Sequence, residues 1–256
     1  MDSENNDGVV WVTGAGKGIG RSLAIQLAKE GRKVAVTSRT ESDLTSLESE
    51  TDDMAGMIYP YPGDIKDAKE IKLLINKIQT DVGVIELAIL NAGTFIRFGV
   101  DKFSPELFRE QIEINTMGAV NCLSPVMHDM KMRREGHIVV VSSLSAYRGL
   151  PYASAYGASK AALTNMCESL KPELDNFNVK ISVVHPGFVR TPLTDQNNFE
   201  MPFLVDAEYA TKRIIKGIRR GKFEIAFPST FALIMKLLRC LPYYLYFSAT
   251  KRISKK

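Results

Sequence analysis

Cysteine is scarce in this sequence and shows no pattern. Cys122, Cys167 and Cys240 are odd in number and lack metal-ligand spacing. That argues against a disulfide framework or a zinc site and fits a reducing compartment, which places the chain in the cytoplasm. His128, His137 and His185 are equally isolated and read as structural. Charge of one sign is missing too: a net +4 over 256 residues, with most basic residues scattered, gives no case for nucleic acid. The opening MDSENNDG is acidic and polar, without the apolar run of a signal peptide, and reads as a short tail over residues 1–8. No Pro/Gly/Ser-rich linker, low-complexity run or repeat divides the rest, so one domain is expected.

What is present is a regular alternation. The runs VVWVTG (9–14), KVAVTS (33–38), GMIYPY (56–61), LAILNAG (87–93), HIVVVSS (137–143), KISVVHPG (180–187) and FEIAFP (223–228) alternate with amphipathic stretches such as GRSLAIQLAKEG and DAKEIKLLINKIQT. Most runs are apolar throughout, as strands buried on both faces are. The expected fold is α/β: a single-domain Rossmann-type, doubly wound parallel sheet of about seven strands with helices on both faces. Ligands of such a sheet bind at the carboxyl ends of its strands. The residues there are Thr13-Gly14, Ser38-Arg39, Asp64, Asn91-Ala92-Gly93, Ser142-Ser143 and Pro186-Gly187, small and polar enough to accept a long ligand across the sheet edge.

The segment TGAGKGIG (13–20) follows the first strand and opens the first helix. It is neither G-x-G-x-x-G, since position 19 is Ile and 21 is Arg, nor a P-loop. It reads T-G-x-x-x-G-x-G through Thr13, Gly14, Gly18 and Gly20, with Gly16, Lys17 and Ile19 between. Unpaired N–H groups and the helix dipole suit a phosphate there; a tight turn without ligand is the plainer alternative. After the second strand stands Ser38-Arg39, where an acidic residue would bond the ribose 2′-OH of NAD. A guanidinium suits a 2′-phosphate instead, and Lys17 adds a second cation, so NADPH is the expected cofactor. The competing reading is two solvated surface cations.

In YASAYGASKAAL (152–163), Tyr152, Tyr156 and Lys160 stand four apart, the spacing of one stripe on a helix. A phenol with a solution pKa of about 10 is a poor acid or base at neutral pH, and a nearby ammonium pulls that value down. Of the tyrosines in and just before this segment, only Tyr156 has a cation four residues on. Tyr152 has Tyr156, and Tyr147 has Pro151.

Residues 8–228 resemble the short-chain dehydrogenase/reductase family. The resemblance is carried by TGAGKGIG at 13–20, Asp64, NAG at 91–93, Asn115, Ser143, YGASK at 156–160 and PGFVRT at 186–191, in order and at family spacing. It implies an NADP(H)-dependent oxidoreductase, a carbonyl reductase or alcohol dehydrogenase. Tyr156 would be the general acid/base. Lys160 would tune it and bond the nicotinamide ribose, Ser143 would orient the carbonyl, and Asn115 would support a water-linked proton relay. The resemblance further implies that Asp64, beside Ile65, contacts the adenine and that Asn91, with Ala92 and Gly93, meets the neighbouring ribose. Pro186, Gly187, Val189 and Thr191 join the cofactor site, the last two at the carboxamide. Ser142 is the alternative to Ser143, and Leu90 stands where a second Asn is frequent. A homodimer or homotetramer is the implied assembly.

Phe95, Leu144, Tyr152, Phe188 and the loop LTDQNNFEMPF (193–203) are candidate substrate-pocket residues, and their apolar character favours a small hydrophobic carbonyl compound or alcohol. Residues 9–228 would hold the dinucleotide and catalytic sites, with 229–256 an apolar, basic extension of the same domain. Lys236, Arg239 and Pro242 interrupt its apolar run, which argues against a spanning helix. It either covers the pocket or a subunit partner, or lies in a membrane interface with Tyr243, Tyr244 and Tyr246 at headgroup level and Lys251, Arg252, Lys255 and Lys256 on anionic lipid. The alternative to an enzyme is an NADP(H)-binding regulator or scaffold without turnover; the joint presence of Ser143, Tyr156 and Lys160 favours catalysis.

Overall fold

The computed structural model describes residues 8–195 and 200–251. The expected tail, apart from Gly8, therefore lies outside the described residues. So do residues 196–199 of the pocket loop, and Arg252, Lys255 and Lys256.

Strands β1 (Val9–Thr13), β2 (Lys33–Thr37), β3 (Met57–Pro60), β4 (Ile85–Leu90), β5 (Gly136–Val141) and β6 (Val179–Pro186) form, with a later strand, one parallel sheet. A two-residue pair, β7 (Val189–Arg190) and β8 (Val205–Asp206), intervenes before the last sheet strand, β9 (Glu224–Phe227). The order is β3-β2-β1-β4-β5-β6-β9. All seven expected strands are present. Their terminal Gly, Ser and Pro residues leave the ladder for turns, which shortens most of the runs.

The helices are α1 (Gly18–Lys29), α2 (Glu41–Glu50), α3 (Ala68–Asp81), α4 (Pro105–Ile112), α5 (Gly118–Arg133), α6 (Ser154–Asp175), α7 (Ala207–Arg219), α8 (Ser229–Cys240) and α9 (Tyr243–Thr250). Alternate strand residues feed two cores. Val9 and Trp11 pack with Ile75 of α3, Val126 of α5 and Leu163 of α6; Val10 and Val12 pack with Leu23 of α1, Leu44 of α2 and Ile214 of α7. Each such buried side chain contributes about 1.5–3 kcal/mol. Trp11 loses nothing by burial, since its indole N–H donates to Thr37 Oγ1 at 2.9 Å. Chain ends of helices follow local chemistry: Asp67 accepts from the N–H groups of Lys69 and Glu70 to start α3, and Arg134, at φ 57°, ends α5 just before Gly136.

The strand order reverses at β1, which pairs with β2 on one side and β4 on the other. That is the topological switch point, where a crevice opens beyond the strand ends. In register, Thr13 faces Leu90 and Leu90 faces Val140, so the turns after β1, β4 and β5 gather at one edge. Among the described residues no helix is long and apolar enough to cross a membrane.

Candidate active site

The glycine turn is tied to the turn after β4. Asn91 Nδ2 donates to the carbonyls of Thr13 and Gly14 at 3.1 and 3.2 Å, and Thr13 Oγ1 accepts from the N–H groups of Asn91 and Ala92 at 3.0 and 3.2 Å. Gly14 has φ +67°, and a Cβ there would sit 2.7 Å from Ala92 Cα; a Cβ at Gly20 would sit 2.3 Å from the Gly14 carbonyl oxygen. No side chain is admissible at either place. No side-chain hydrogen bond caps the start of α1, which opens directly from the glycine turn. This cradle fits a pyrophosphate.

Around it, Thr191 Cγ2 lies 3.1 Å from a notional Cβ on Gly18, so the PGFVRT segment reaches back to the turn. Val189 is buried, and Gly187 N–H donates to the Phe227 carbonyl at 2.7 Å. Asp64 is half-buried, its Oδ1 accepting from Lys66 N–H at 3.0 Å, with buried Ile65 beside it. Arg39 is exposed, with no hydrogen bond or ion pair among the described residues. Lys17, by contrast, pairs with Asp43 at 3.4 Å.

At the end of β5 the four residues expected to act together do converge. Ser143 is the side-chain hydrogen-bonding partner of the Tyr156 phenol. Lys160 is buried and its ammonium donates to the Val141 carbonyl at 2.9 Å, with Nζ 5.8 Å from the Tyr156 ring centroid. Lys160 Nζ and Asn115 Oδ1 lie 3.3 and 3.1 Å from a notional Cβ on Gly93, so the NAG turn abuts both. Asn115 sits in one wide helical turn, Glu113–Met117, inserted between α4 and α5. Its Oδ1 accepts from Thr94 N–H at 2.7 Å, and its Nδ2 donates to the Thr94 carbonyl and to Ser159 Oγ, each at 3.0 Å.

The electrostatics differ from the sequence expectation. Burial holds the Tyr156 phenol above its ordinary value, with only the Ser143 bond pulling the other way. Burial likewise lowers Lys160 to about 8. The ammonium donates to the Val141 carbonyl, and burial is the dominant influence on the phenol.

The tyrosine stripe is shorter than expected. α6 begins at Ser154, and Tyr152 precedes it in a left-handed turn at φ 63°. Its ring meets Gly99 and lies under the Arg97 guanidinium at 4.4 Å. Tyr156 and Lys160 share the helix; Tyr152 does not. The other pocket candidates fall into two groups. Phe95 meets Tyr156 edge-on at 4.9 Å, while Phe188 stacks on Phe231 of α8 at 5.9 Å and Leu144 is buried against α8.

The profile of short chain dehydrogenase matches residues 8–201. An uncharacterized oxidoreductase of Myxococcus xanthus (strain DK1622) is 36% identical over 242 residues, covering 94% of this chain and 96% of that protein. The chain belongs to the short-chain dehydrogenase family. Family members are oxidoreductases that bind NAD(P)(H). Two solved short-chain dehydrogenases share the fold. One from Burkholderia phymatum, in complex with NAD, has a TM-score of 0.83 at 21% identity, with 90% of this chain and 92% of that one covered. One from Sphingobium yanoikuyae, in complex with NADPH, has a TM-score of 0.80 at 20% identity, with 92% and 96% covered.

The structure of this short-chain dehydrogenase also brings toward the site residues that spacing alone did not single out. Asp43, four beyond Arg39 at the start of α2, is one; its Cβ and the Ser38 hydroxyl lie 3.0 and 3.1 Å from a notional Cβ on buried Gly16. Thr164 bridges Ser142 and His185, each at 3.0 Å. Beyond His185, Tyr147 donates to Glu224 at 2.5 Å, and Glu224 also pairs with Lys236 of α8. The sequence signal available for Thr164 was its place one turn beyond Lys160; for Glu224 there was none. No group of histidine, cysteine and carboxylate residues among the described residues could hold a metal ion.

Proposed function

We propose that this chain is an NADPH-dependent carbonyl reductase, or alcohol dehydrogenase in reverse, acting on a small hydrophobic substrate with Tyr156 as general acid/base. The observation that carries the reading is the Ser143–Tyr156 hydrogen bond beside the buried Lys160 ammonium. When bound, the dinucleotide supplies or accepts the hydride.

The chain's own groups do the rest. A phenol kept protonated by burial can hand its proton to the oxygen of a carbonyl as negative charge develops there. The Ser143 hydroxyl is the second donor to that oxygen. Lys160, held on the Val141 carbonyl while the phenol is protonated, would turn to the phenolate left behind to stabilise it and would bond the nicotinamide ribose. For Asn115 we read a positioning role: both its amide protons are committed to Thr94 and Ser159, so it fixes the loop after Gly93 rather than relaying protons through its amide.

The glycine cradle would hold the pyrophosphate and Asp64 the adenine. Arg39, exposed and uncommitted, would take the 2′-phosphate, which is why NADPH is preferred over NADH despite the Lys17–Asp43 pair. Residues 9–228 thus carry both sites, with 229–256 as an extension whose α8 walls the pocket through Phe231. Free Cys122, Cys167 and Cys240 agree with a cytoplasmic setting.

The test compares dissociation constants for NADPH and NADH in wild type and Arg39→Ala. NADPH should bind at least about tenfold more tightly, and the variant should lose that margin. Equal affinities in wild type would overturn the cofactor assignment.

A further inference from the structure

We propose that the face formed by α7, α8 and α9 docks on an anionic phospholipid bilayer, a property independent of the catalytic reading above. The inner side of α8 is accounted for, since Ala232 and Met235 are buried against Leu144 and Tyr147. The outer side presents Leu233 and Leu237 at 59% and 60% exposure, with Ile234 beside them. On α9, Tyr243, Tyr244 and Phe247 are 70%, 72% and 60% exposed. A helix on a water-facing surface turns such side chains inward; here two successive helices turn them outward. Nor is α9 a loose end. Tyr246, its inward residue, donates to the Gly149 carbonyl, and Arg148 lies over the Tyr243 and Tyr246 rings at 4.7 and 4.4 Å.

A separate observation identifies the occupant. Between α7, β9 and α8 lies a cleft of about 370 Å³ lined by Arg213, Lys216, Arg220, Lys222 and Lys236, with Glu224 as the carboxylate. Glu224 is already engaged by Lys236 and Tyr147. The remaining four cations make no ion pair among the described residues. Leu233 lines the same cleft, so the cations adjoin the apolar face. Cations beside exposed leucines and tyrosines match the two layers of an anionic membrane surface, phosphate outside and acyl chain within. A soluble phosphate compound would use the cleft and leave the apolar face without a role. A second copy in an isologous contact would bring the same cations toward one another.

The experiment is flotation of the full-length protein with vesicles of phosphatidylcholine alone or mixed with phosphatidylglycerol. Flotation should be at least about tenfold greater with the phosphatidylglycerol vesicles and fall at high salt. The double variants Lys216→Glu/Arg220→Glu and Leu237→Ser/Phe247→Ser should each reduce it about tenfold, with circular dichroism and dinucleotide affinity unchanged. If one pair fails to fold, the other together with Tyr244→Ser decides the matter. Absence of flotation with either vesicle would overturn the proposal. So would flotation that both pairs leave intact, or a dimer that Leu237→Ser/Phe247→Ser converts to monomer without vesicle binding at any stage.

Discussion

Ser142 and Ser143 are adjacent, yet the Ser142 hydroxyl donates to the Lys160 carbonyl at 2.8 Å while Ser143 is the side-chain hydrogen-bonding partner of the Tyr156 phenol. The pair separates support from chemistry. Ser143→Ala should lower kcat about 10²–10³-fold, the loss typical of one donor to a developing oxyanion, and leave the dinucleotide Kd unchanged. Ser142→Ala should keep most of kcat and lose about 1 kcal/mol of stability in urea titration. The reverse pattern would exchange the two roles.

Much of this site was legible because its signals are local. The glycine turn, the Tyr156–Lys160 spacing and the strands buried on both faces all follow from residues close in the chain. Tyr152 was misplaced because the four-residue rule presupposes a helix, and the backbone turns left-handed just after Pro151. The contacts of Asn115 with Ser159, and of Tyr147 with Glu224, join residues 44 and 77 positions apart, which no spacing rule reaches. The direction of the Tyr156 shift was also beyond pattern, since it depends on how deeply the fold buries the phenol.

The cradle gives a steric prediction. Because a Cβ at Gly20 would meet the Gly14 carbonyl at 2.3 Å and Asn91 Nδ2 at 2.6 Å, Gly20→Ala must push the two turns apart. Isothermal titration should show dinucleotide affinity falling at least about tenfold, with a lower Tm. Wild-type affinity in that variant would detach the turn from cofactor binding.

Lys160 sets a pH dependence. Burial lowers it to about 8 while raising Tyr156, so on rising pH the lysine loses its charge first and the phenol stays a proton donor. For carbonyl reduction, kcat/KM should be flat through pH 6–7 and decline as pH rises through about 8. A profile that climbs through that range would show that the neutral amine is the working form.

His185 sets another, on stability. It is 1% exposed, and burial lowers it to about 4 even with Glu224 at 3.7 Å; His137 is lowered to about 4 as well. Between about pH 6.5 and 4 the unfolded chain therefore binds more protons than the folded one. Stability should fall as pH drops through that window, by up to about 1.4 kcal/mol per pH unit for each histidine, and urea midpoints would record it. His185→Gln should flatten the slope by its share; an unchanged slope would locate the acid sensitivity elsewhere.

Whether Tyr156 moves a proton decides the proposed mechanism. The most direct measurement follows NADPH oxidation against aldehydes and ketones graded by chain length and ring size, for wild type and Tyr156→Phe, with NADPH affinity measured on both. The wild type should turn over a hydrophobic member of the series. The variant should bind NADPH equally well and lose turnover by about 10²–10⁴-fold. Turnover retained in Tyr156→Phe at unchanged affinity would contradict the account.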